Sequence, residues 1–232
     1  RDLSRLGLFH DLGVRVVQLT ENIQNEFGSG CMERRDGGLT LLGRDLVKRM
    51  NDLGVLVDVS HSGPRTTLDA IEASQRPIAI SHSNCAAIHD TPRAKSDDAI
   101  RALAARGGVM GVTFLNFFVG GKARNTVEDV IDHVDHVRDL VGIDHVGVGS
   151  DLPVGSFRDV YPDEAAFLRA LGPYIAATGA TFIRWPATID TLDGPGKIQA
   201  FAAALARRGY SDQDRRKVLG LNFLRVLGDA VG

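Results

Sequence analysis

The chain has 232 residues, with 27 basic and 29 acidic side chains and a formal net charge of −2. Apolar residues make up 44% of the sequence and charged residues 24%, a composition that is ordinary for a folded domain and excludes an intrinsically disordered chain. A charge this close to zero argues against a nucleic-acid partner or an anionic membrane partner, and no apolar run reaches the ~18 residues of a membrane span.

Five short apolar runs recur along the chain, and each is predicted to be a β-strand. Near-continuous apolar character over such a short run is typical of parallel strands that are buried on both faces. The runs are 14–20 (VRVVQLT), 55–60 (VLVDVS), 77–81 (PIAIS), 108–115 (GVMGVTFL) and 145–150 (HVGVGS).

Helical patterns separate these strands and continue after the last one. Residues 41–53 carry apolar side chains on one helical face, and an acidic pair opens the pattern at 97–106, where a helix amino terminus favours negative charge. The Gly- and Pro-containing segment 152–196 is interpreted as an irregular insertion. The other predicted helices are 66–73, 126–140, 162–171, 196–208 and 212–227.

Strands that alternate with helices predict an α/β fold with a parallel sheet, in one domain spanning 1–232. The length allows a (β/α)8 TIM-type barrel, which typically needs ~250 residues. Five strands, however, do not close an eight-stranded barrel. Either the first three strands lie upstream of Arg1, so that this chain holds the five carboxyl-terminal βα units and the final helices, or the sheet is open.

Two of the predicted strands end in the same dipeptide, Ser-His. His61 follows VDVS and His82 follows IAIS, 21 residues later, which is about one βα unit. Adjacent parallel strands bring their carboxyl ends to the same edge, where barrels and open sheets build their sites. Neutral imidazole is a common metal ligand, so the pair predicts a shared zinc ion. The alternative is two histidines that only make structural hydrogen bonds.

Two further residues follow strands toward the same edge. Asp151 comes after Gly147-Val148-Gly149-Ser150, and a carboxylate there could act as a general base, or alternatively cap a turn. Arg93 lies in the loop after His82, where its guanidinium could bind a substrate carboxylate, or alternatively be solvated. His133 and His136 lie among aspartates on a predicted helix and are interpreted as part of a solvated charged face.

Taken together, these stretches resemble the membrane (renal) dipeptidase family of zinc peptidases. The similarity implies a (β/α)8 barrel that holds two zinc ions and cleaves dipeptides or related small amides by attack of a metal-held hydroxide. It further implies that His61 and His82 are ligands of one zinc, that Arg93 holds the substrate carboxylate, and that Asp151 lies against the scissile group or its water. The similar stretches are LGVRVVQLT, DGGLTLLGRDLVKRMNDLGVLVDVSH, RPIAISHSNCAAIHDTPRAKSDDAIRAL, GGVMGVTFLNF, VGIDHVGVGSD and VLGLNFLRV.

The sequence departs from the family pattern in ways that leave alternatives open. The family's His-x-Asp pair and bridging Glu belong upstream of Arg1, so this chain as given would hold one zinc or none. Glu21 stands where the family usually has a histidine that contacts the substrate, and it is interpreted as a substrate-binding residue that selects an amine, or as a metal contact. Ser150-Asp151-Leu152-Pro153 lacks a second acid that the family often has shortly after the first.

Three functions remain in view. The first is a zinc-dependent hydrolase of dipeptide-like substrates; the second is a relative with lost or altered catalysis that acts as a binding or scaffold protein; the third is a non-peptide amidohydrolase or lactonase. Missing strands would leave unpaired edges, so we expect more chain or a partner, including a homodimer. The two cysteines, Cys31 and Cys85, fit a reducing compartment, and no signal peptide is recognised, so we expect a cytoplasmic protein.

Overall fold

The five predicted strands form one parallel sheet in the computed structural model, which describes residues 2–232. The strands are β1 (Val16–Gln18), β2 (Leu56–Asp58), β3 (Ala79–Ser83), β4 (Val109–Val112) and β5 (Val146–Val148). The helices are α1 (Arg5–Asp11), α2 (Leu41–Leu53), α3 (Pro64–Ala73), α4 (Asp97–Ala105), α5 (Asn116–Val119), α6 (Val127–Val141), α7 (Phe157–Val160), α8 (Glu164–Thr178), α9 (Lys197–Arg207), α10 (Asp212–Arg216) and α11 (Asn222–Val231).

The strands are hydrogen-bonded in the order β1-β2-β3-β4-β5, which is the order of the sequence. This is the arrangement of consecutive βα units in a (β/α)8 barrel, whereas a doubly wound sheet reverses its order at a switch point. Within residues 2–232, β1 and β5 each pair with one neighbouring strand. The predicted parallel α/β fold is therefore confirmed.

Opposite faces of the sheet are covered by different helices. Alternate strand residues such as Val57, Ile80 and Met110 belong to the main core, which also contains apolar residues of α2, α3, α4 and α6. Their neighbours on the other face, such as Leu56 and Val109, pack against α11. The burial expected on both faces is least complete at β1, where Val16 is 46% exposed and lines a cavity with Leu56 and Val148.

Helix α11 lies across the amino ends of the strands. Arg76, just before β3, donates from its guanidinium to the carbonyl of Ala230 (3.1 Å), and Arg225 donates to the carbonyl of Gly107 (2.7 Å), just before β4. The amino edge of the sheet is therefore occupied by α11. The opposite edge, where the predicted site residues follow their strands, carries the connecting loops.

The segment 152–196 contains more regular structure than the sequence suggested. Helix α8 runs over Glu164–Thr178, seven residues beyond the predicted end, even though Pro173 lies inside it. An aromatic cluster anchors the segment, because the fully buried Phe167 contacts the rings of Phe157, Tyr161 and Trp185. The insertion is therefore a small packed unit.

The prediction of a solvated charged face on α6 is wrong for His133. This imidazole is fully buried, accepts a hydrogen bond from the Cys85 amide at Nδ1 (3.1 Å) and donates from Nε2 to the Val119 carbonyl (2.9 Å). It lies on the same helical face as the buried Val130 and Val137, a spacing that marks the core side. His136, by contrast, is only half-buried and pairs with Asp97 (2.7 Å).

Among the helices of residues 2–232, none combines the length and the apolar character that crossing a lipid bilayer requires.

Candidate active site

The structure brings the two predicted histidines together. His61 follows β2 and His82 is part of β3, and these strands are paired through Asp58 and Ala79. The Nε2 atoms of the two imidazoles are 2.9 Å apart, and the ring centroids are separated by 5.0 Å. The repeated Ser-His sequence therefore places two ring nitrogens at one point on the carboxyl edge of the sheet.

The hydrogen bonds at the other ring nitrogens assign the tautomer of each histidine. Nδ1 of His61 faces the side-chain oxygen of Asn22 (2.7 Å) and a carboxylate oxygen of Glu21 (3.1 Å), both of which are acceptors. Nδ1 of His82 lies 2.7 Å from the hydroxyl of Ser81. That hydroxyl donates to Asp58 and so presents a lone pair to His82. Both Nδ1 atoms therefore carry the proton, and both Nε2 atoms carry a lone pair.

The carboxylate of Asp58 connects the two Ser-His segments by hydrogen bonds, a role that was not predicted from the sequence. Its Oδ1 accepts from the amides of Ser60 (3.0 Å) and Ser81 (3.0 Å) and from the Ser60 hydroxyl (2.6 Å), while Oδ2 accepts from the Ser81 hydroxyl. The Ser60 hydroxyl also lies 3.1 Å from the amide of His82. One buried carboxylate thus joins the two Ser-His segments across adjacent strands.

The electrostatic surroundings keep both imidazoles neutral. Burial, reinforced by Arg93 and His82, lowers the pKa of His61 to about 2. Burial also lowers the pKa of His82, although the carboxylate of Asp151 acts in the opposite direction. Neutral imidazole with a free Nε2 is the form that binds a metal ion.

The donor set tests how well these residues fit a metal. Two Nε2 lone pairs that face each other fit two adjacent positions in the coordination sphere of one cation. Within the described range 2–232, no group of three or more His, Cys, Asp and Glu side chains surrounds a common point. The described residues therefore offer two nitrogen ligands.

Arg93 lies against the segments that carry the pair and is only 4% exposed. Its guanidinium donates to the carbonyl of Ser60 and to the carbonyl of His82 (3.2 Å), and it lies 5.5 Å from the centre of the Phe118 ring. Burial lowers the pKa of this guanidinium. Arg93 therefore contacts both histidine-bearing segments, a role that its position in a loop did not reveal.

Lys95, two residues further on, is a second buried cation that sequence reasoning missed. Its ammonium donates to the carbonyls of Val59 (2.9 Å) and Ser62 (2.8 Å) and to the hydroxyl of Thr67 (3.1 Å). Burial, followed by the nearby charge of Arg93, lowers its pKa to about 7. It closes the turn that carries His61 and lines a cavity of about 480 Å³ that includes neither histidine.

Asp151 lies on the same edge, after β5, in a left-handed backbone conformation with φ 58°. It lines a cavity of about 320 Å³ together with Ser81, His82 and Phe223. Its surface is solvent-exposed, but the protein around the carboxyl removes enough water to raise its pKa, against the opposing effect of His82 and Arg93. Gly149 lets the backbone after β5 lie close to the end of β3, because a Cβ at residue 149 would be only 1.9 Å from the Ser81 carbonyl oxygen.

Glu21 lies above His61 with 65% of its side chain exposed. The amide of Gln18 donates to its second carboxylate oxygen at 2.9 Å, which holds the carboxylate toward the imidazole. The side-chain amide of Asn22 donates to this carboxylate and to the hydroxyl of Tyr174, and neither residue was predicted from the sequence to belong to the site. An exposed carboxylate with a fixed orientation can bind a cationic group of a ligand.

A parallel sheet of consecutive βα units with paired imidazoles at its carboxyl edge is the architecture of metal-dependent hydrolases built on (β/α)8 barrels. Residues 1–161 match the family model described as membrane dipeptidase, peptidase family M19. The chain belongs to this family, and the resemblance predicted from its motifs is confirmed.

Curated relatives and solved structures agree with that assignment. The chain is 34% identical over 218 residues to dipeptidase verJ of Clonostachys rogersoniana, covering 93% of this chain and 48% of the relative. It is 30% identical to dipeptidase tcpJ of Claviceps purpurea, covering 97% of this chain and 46% of the relative. The chain thus spans about half the length of these curated relatives.

Two solved structures share the fold over nearly the whole chain. An amidohydrolase from Pseudomonas aeruginosa superposes with a TM-score of 0.85 at 31% identity, covering 100% of this chain and 69% of that one. A metallo peptidase from Rhodobacter sphaeroides, liganded with a phosphinate mimic of the dipeptide L-Ala-D-Ala, gives a TM-score of 0.78 at 26% identity, covering 97% and 58%.

Proposed function

We propose that this chain supplies the His61–His82 part of the metal centre of a hydrolase for dipeptides or related small amides, and that the metal is zinc. Membership of peptidase family M19 supports a metal-dependent peptidase. Two relatives bear the name dipeptidase, and one similar structure holds a dipeptide mimic, which supports the substrate class.

The single observation that carries the proposal is the 2.9 Å separation of two Nε2 atoms that both carry lone pairs. Two such lone pairs repel each other, and a cation held by both nitrogens would replace that repulsion with two favourable interactions. A proton on one Nε2 would instead make a hydrogen bond between the two rings, but then the Nδ1 of that ring would have to face a donor. Asn22 and Glu21 present acceptors to Nδ1 of His61, and the Ser81 hydroxyl, next to Nδ1 of His82, donates its proton to Asp58. Zinc readily accepts imidazole ligands of this kind.

A bound zinc would supply Lewis-acid activation of the amide carbonyl and of water. Asp151 is the proposed general base, because its raised pKa brings the carboxyl closer to the range in which it can take a proton from water and return it to the leaving amine. The cavity that it shares with His82 supports this role, because it brings the Asp151 side chain and a proposed metal ligand to the same space.

Two residues are proposed to select the substrate. Arg93 uses two of its N–H groups on the carbonyls of Ser60 and His82, and the planar guanidinium has further donors for a substrate carboxylate. Glu21 is proposed to bind the substrate ammonium, because its exposed carboxylate lies 3.1 Å from the His61 ring nitrogen.

The structure also bears on the proposed oligomeric state and cellular compartment of the protein. Within residues 2–232, β1 and β5 each leave one side without a strand partner, and this feature and the exposed Val16 support pairing of these edges with further polypeptide, including a homodimer. The thiols of Cys31 and Cys85 are both free, which supports a reducing compartment such as the cytoplasm.

Metal content is the direct test. We expect zinc to bind the purified chain and to be lost from both His61→Ala and His82→Ala, whereas His10→Ala, which removes a half-buried imidazole on α1, leaves it unchanged. Hydrolysis of a panel of L,L- and L,D-dipeptides with and without a chelator then tests the substrate class. Unchanged zinc, by elemental analysis, in both site variants would end the proposal.

A further inference from the structure

Helix α8 reaches the candidate site although it lies beyond residues 1–161, the part of the chain that matches the family model. Its Tyr174 hydroxyl oxygen accepts a hydrogen bond from the side-chain amide of Asn22. The oxygen of the same amide faces Nδ1 of His61 at 2.7 Å. One asparagine thus connects a helix of the inserted segment to a proposed metal ligand.

Each side of the Asn22 amide has two partners. The oxygen accepts from His61 Nδ1 and from the Cys31 thiol (3.2 Å), and the nitrogen donates to Tyr174 and to Glu21 Oε1 (3.4 Å). Turning the amide over would place its oxygen against the Glu21 carboxylate, which has no proton to donate. The surroundings therefore specify one orientation of this amide.

That orientation decides where His61 carries its proton. With the amide oxygen toward Nδ1, the proton is on Nδ1 and Nε2 is free. With the amide nitrogen toward Nδ1, the ring would have to move its proton to Nε2, the atom that lies 2.9 Å from His82 Nε2. Partners of this kind on the far nitrogen of a ligand histidine tune its metal affinity by ~10- to 100-fold.

The helix that carries Tyr174 is anchored by the packing of the insertion. It lies two helical turns after Phe167, the fully buried anchor of the aromatic cluster with Trp185 and Tyr161. Asp163 caps the start of α8 by accepting from the amide of Ala166 (2.7 Å). The anchored start of α8 therefore supports the position of the Tyr174 hydroxyl against the Asn22 amide.

We propose that Asn22 is a positioning residue for His61, and that Tyr174 extends this control to α8, so that the inserted helix helps to set how strongly His61 binds a metal. The inference rests on the proposed function in that His61 must be a metal ligand. It adds a contribution of the segment 152–196 to a centre whose proposed metal-binding, catalytic and substrate-binding residues come from the family-matched part of the chain.

The test compares zinc affinity, measured by competition with a chromophoric chelator, across four variants. We expect Asn22→Leu to weaken zinc binding ~10- to 100-fold, and Asn22→Asp, which keeps the acceptor, to stay much closer to wild type. Tyr174→Phe should weaken binding several-fold. Tyr161→Phe is the matched control, because it removes the hydroxyl of another tyrosine of the same insertion, one that contacts the aromatic cluster rather than Asn22.

Nitrogen-15 NMR of the imidazoles in the zinc-free chain provides a second, independent readout. Wild type should show His61 protonated at Nδ1, and Asn22→Leu should shift the proton toward Nε2. An unshifted tautomer, or a Tyr174→Phe affinity equal to that of Tyr161→Phe, overturns the inference. Absence of zinc binding in wild type instead overturns the proposed function, and the tautomer measurement still decides the role of Asn22. If Asn22→Leu does not fold, Tyr174→Phe and Asn22→Asp carry the comparison.

Discussion

Asp58 gives the sharpest test of how the site is built, because one carboxylate holds four donors. In Asp58→Ala, the hydroxyls of Ser60 and Ser81, which are 3.1 Å apart, can pair with each other. Their two backbone amides are left unpaired in a buried place, at ~1–3 kcal/mol each. We therefore expect the free energy of unfolding to fall by ~2–6 kcal/mol.

Asp58→Asn separates stability from metal binding. The asparagine oxygen can still accept from the two backbone amides, so most of the stability should remain. Its NH2 group replaces the oxygen that accepts from Ser81, and the Ser81 hydroxyl then turns to donate to Nδ1 of His82. His82 would carry its proton on Nε2 and lose the lone pair that faces His61.

Urea unfolding followed by circular dichroism measures the first effect, and zinc competition measures the second. Asp52→Asn is the matched control, because it neutralises a partly exposed aspartate that pairs only with Lys48 on α2. We expect Asp58→Asn to unfold close to wild type yet bind zinc at least ~10-fold more weakly. Equal zinc affinity in Asp58→Asn and wild type would refute the tautomer assignment, and a loss below ~1 kcal/mol in Asp58→Ala would refute the buried network.

Three further outcomes are expected. Arg93→Met should raise KM for substrates with a free carboxylate by ~10- to 100-fold and spare esterified ones, and equal effects on both would remove Arg93 from substrate recognition. Glu21→Gln should weaken binding of dipeptides with a free amine by up to ~5-fold without affecting N-acetylated ones, because the carboxylate is exposed. Burial lowers the pKa of His133 to about 4 from 6.5, so the unfolded chain takes up this proton first as pH falls. Stability present above pH 6.5 should drop by about 3 kcal/mol by pH 4, as measured by urea unfolding, and His133→Gln should remove that component.

The sheet could be predicted from the sequence because its strands are short apolar runs between helical patterns. Four of the five predicted runs contain an observed strand, and the fifth, 77–81, ends two residues before β3 does. The predicted helix at 41–53 matches α2 at both ends, where Thr40 and Gly54 cap it. The proximity of His61 and His82 followed from the same reasoning, since paired parallel strands end at one edge. Their role as ligands, like those of Arg93, Asp151 and Glu21, stays a prediction.

The rest depends on contacts that leave no local pattern. Asp58 looks like one polar residue inside an apolar strand, and only the pairing of β2 with β3 shows that it also reaches Ser81. Tyr174 meets Asn22 across 152 positions of sequence, beyond the reach of any periodicity. His133 is different, because its spacing from Val130 and Val137 already marked it as a core residue.

Helix α11 has a consequence for how the molecule is made. It packs against strands that precede it by many residues in the sequence. The hydrogen bond from Arg76 to the carbonyl of Ala230 joins residues 154 positions apart. During synthesis, the face of β2, β3 and β4 that packs against α11 therefore stays uncovered until α11 has been translated. Contacts this distant in sequence close long loops and slow the search for the native state, so we expect the packing of α11 to be a late step in folding.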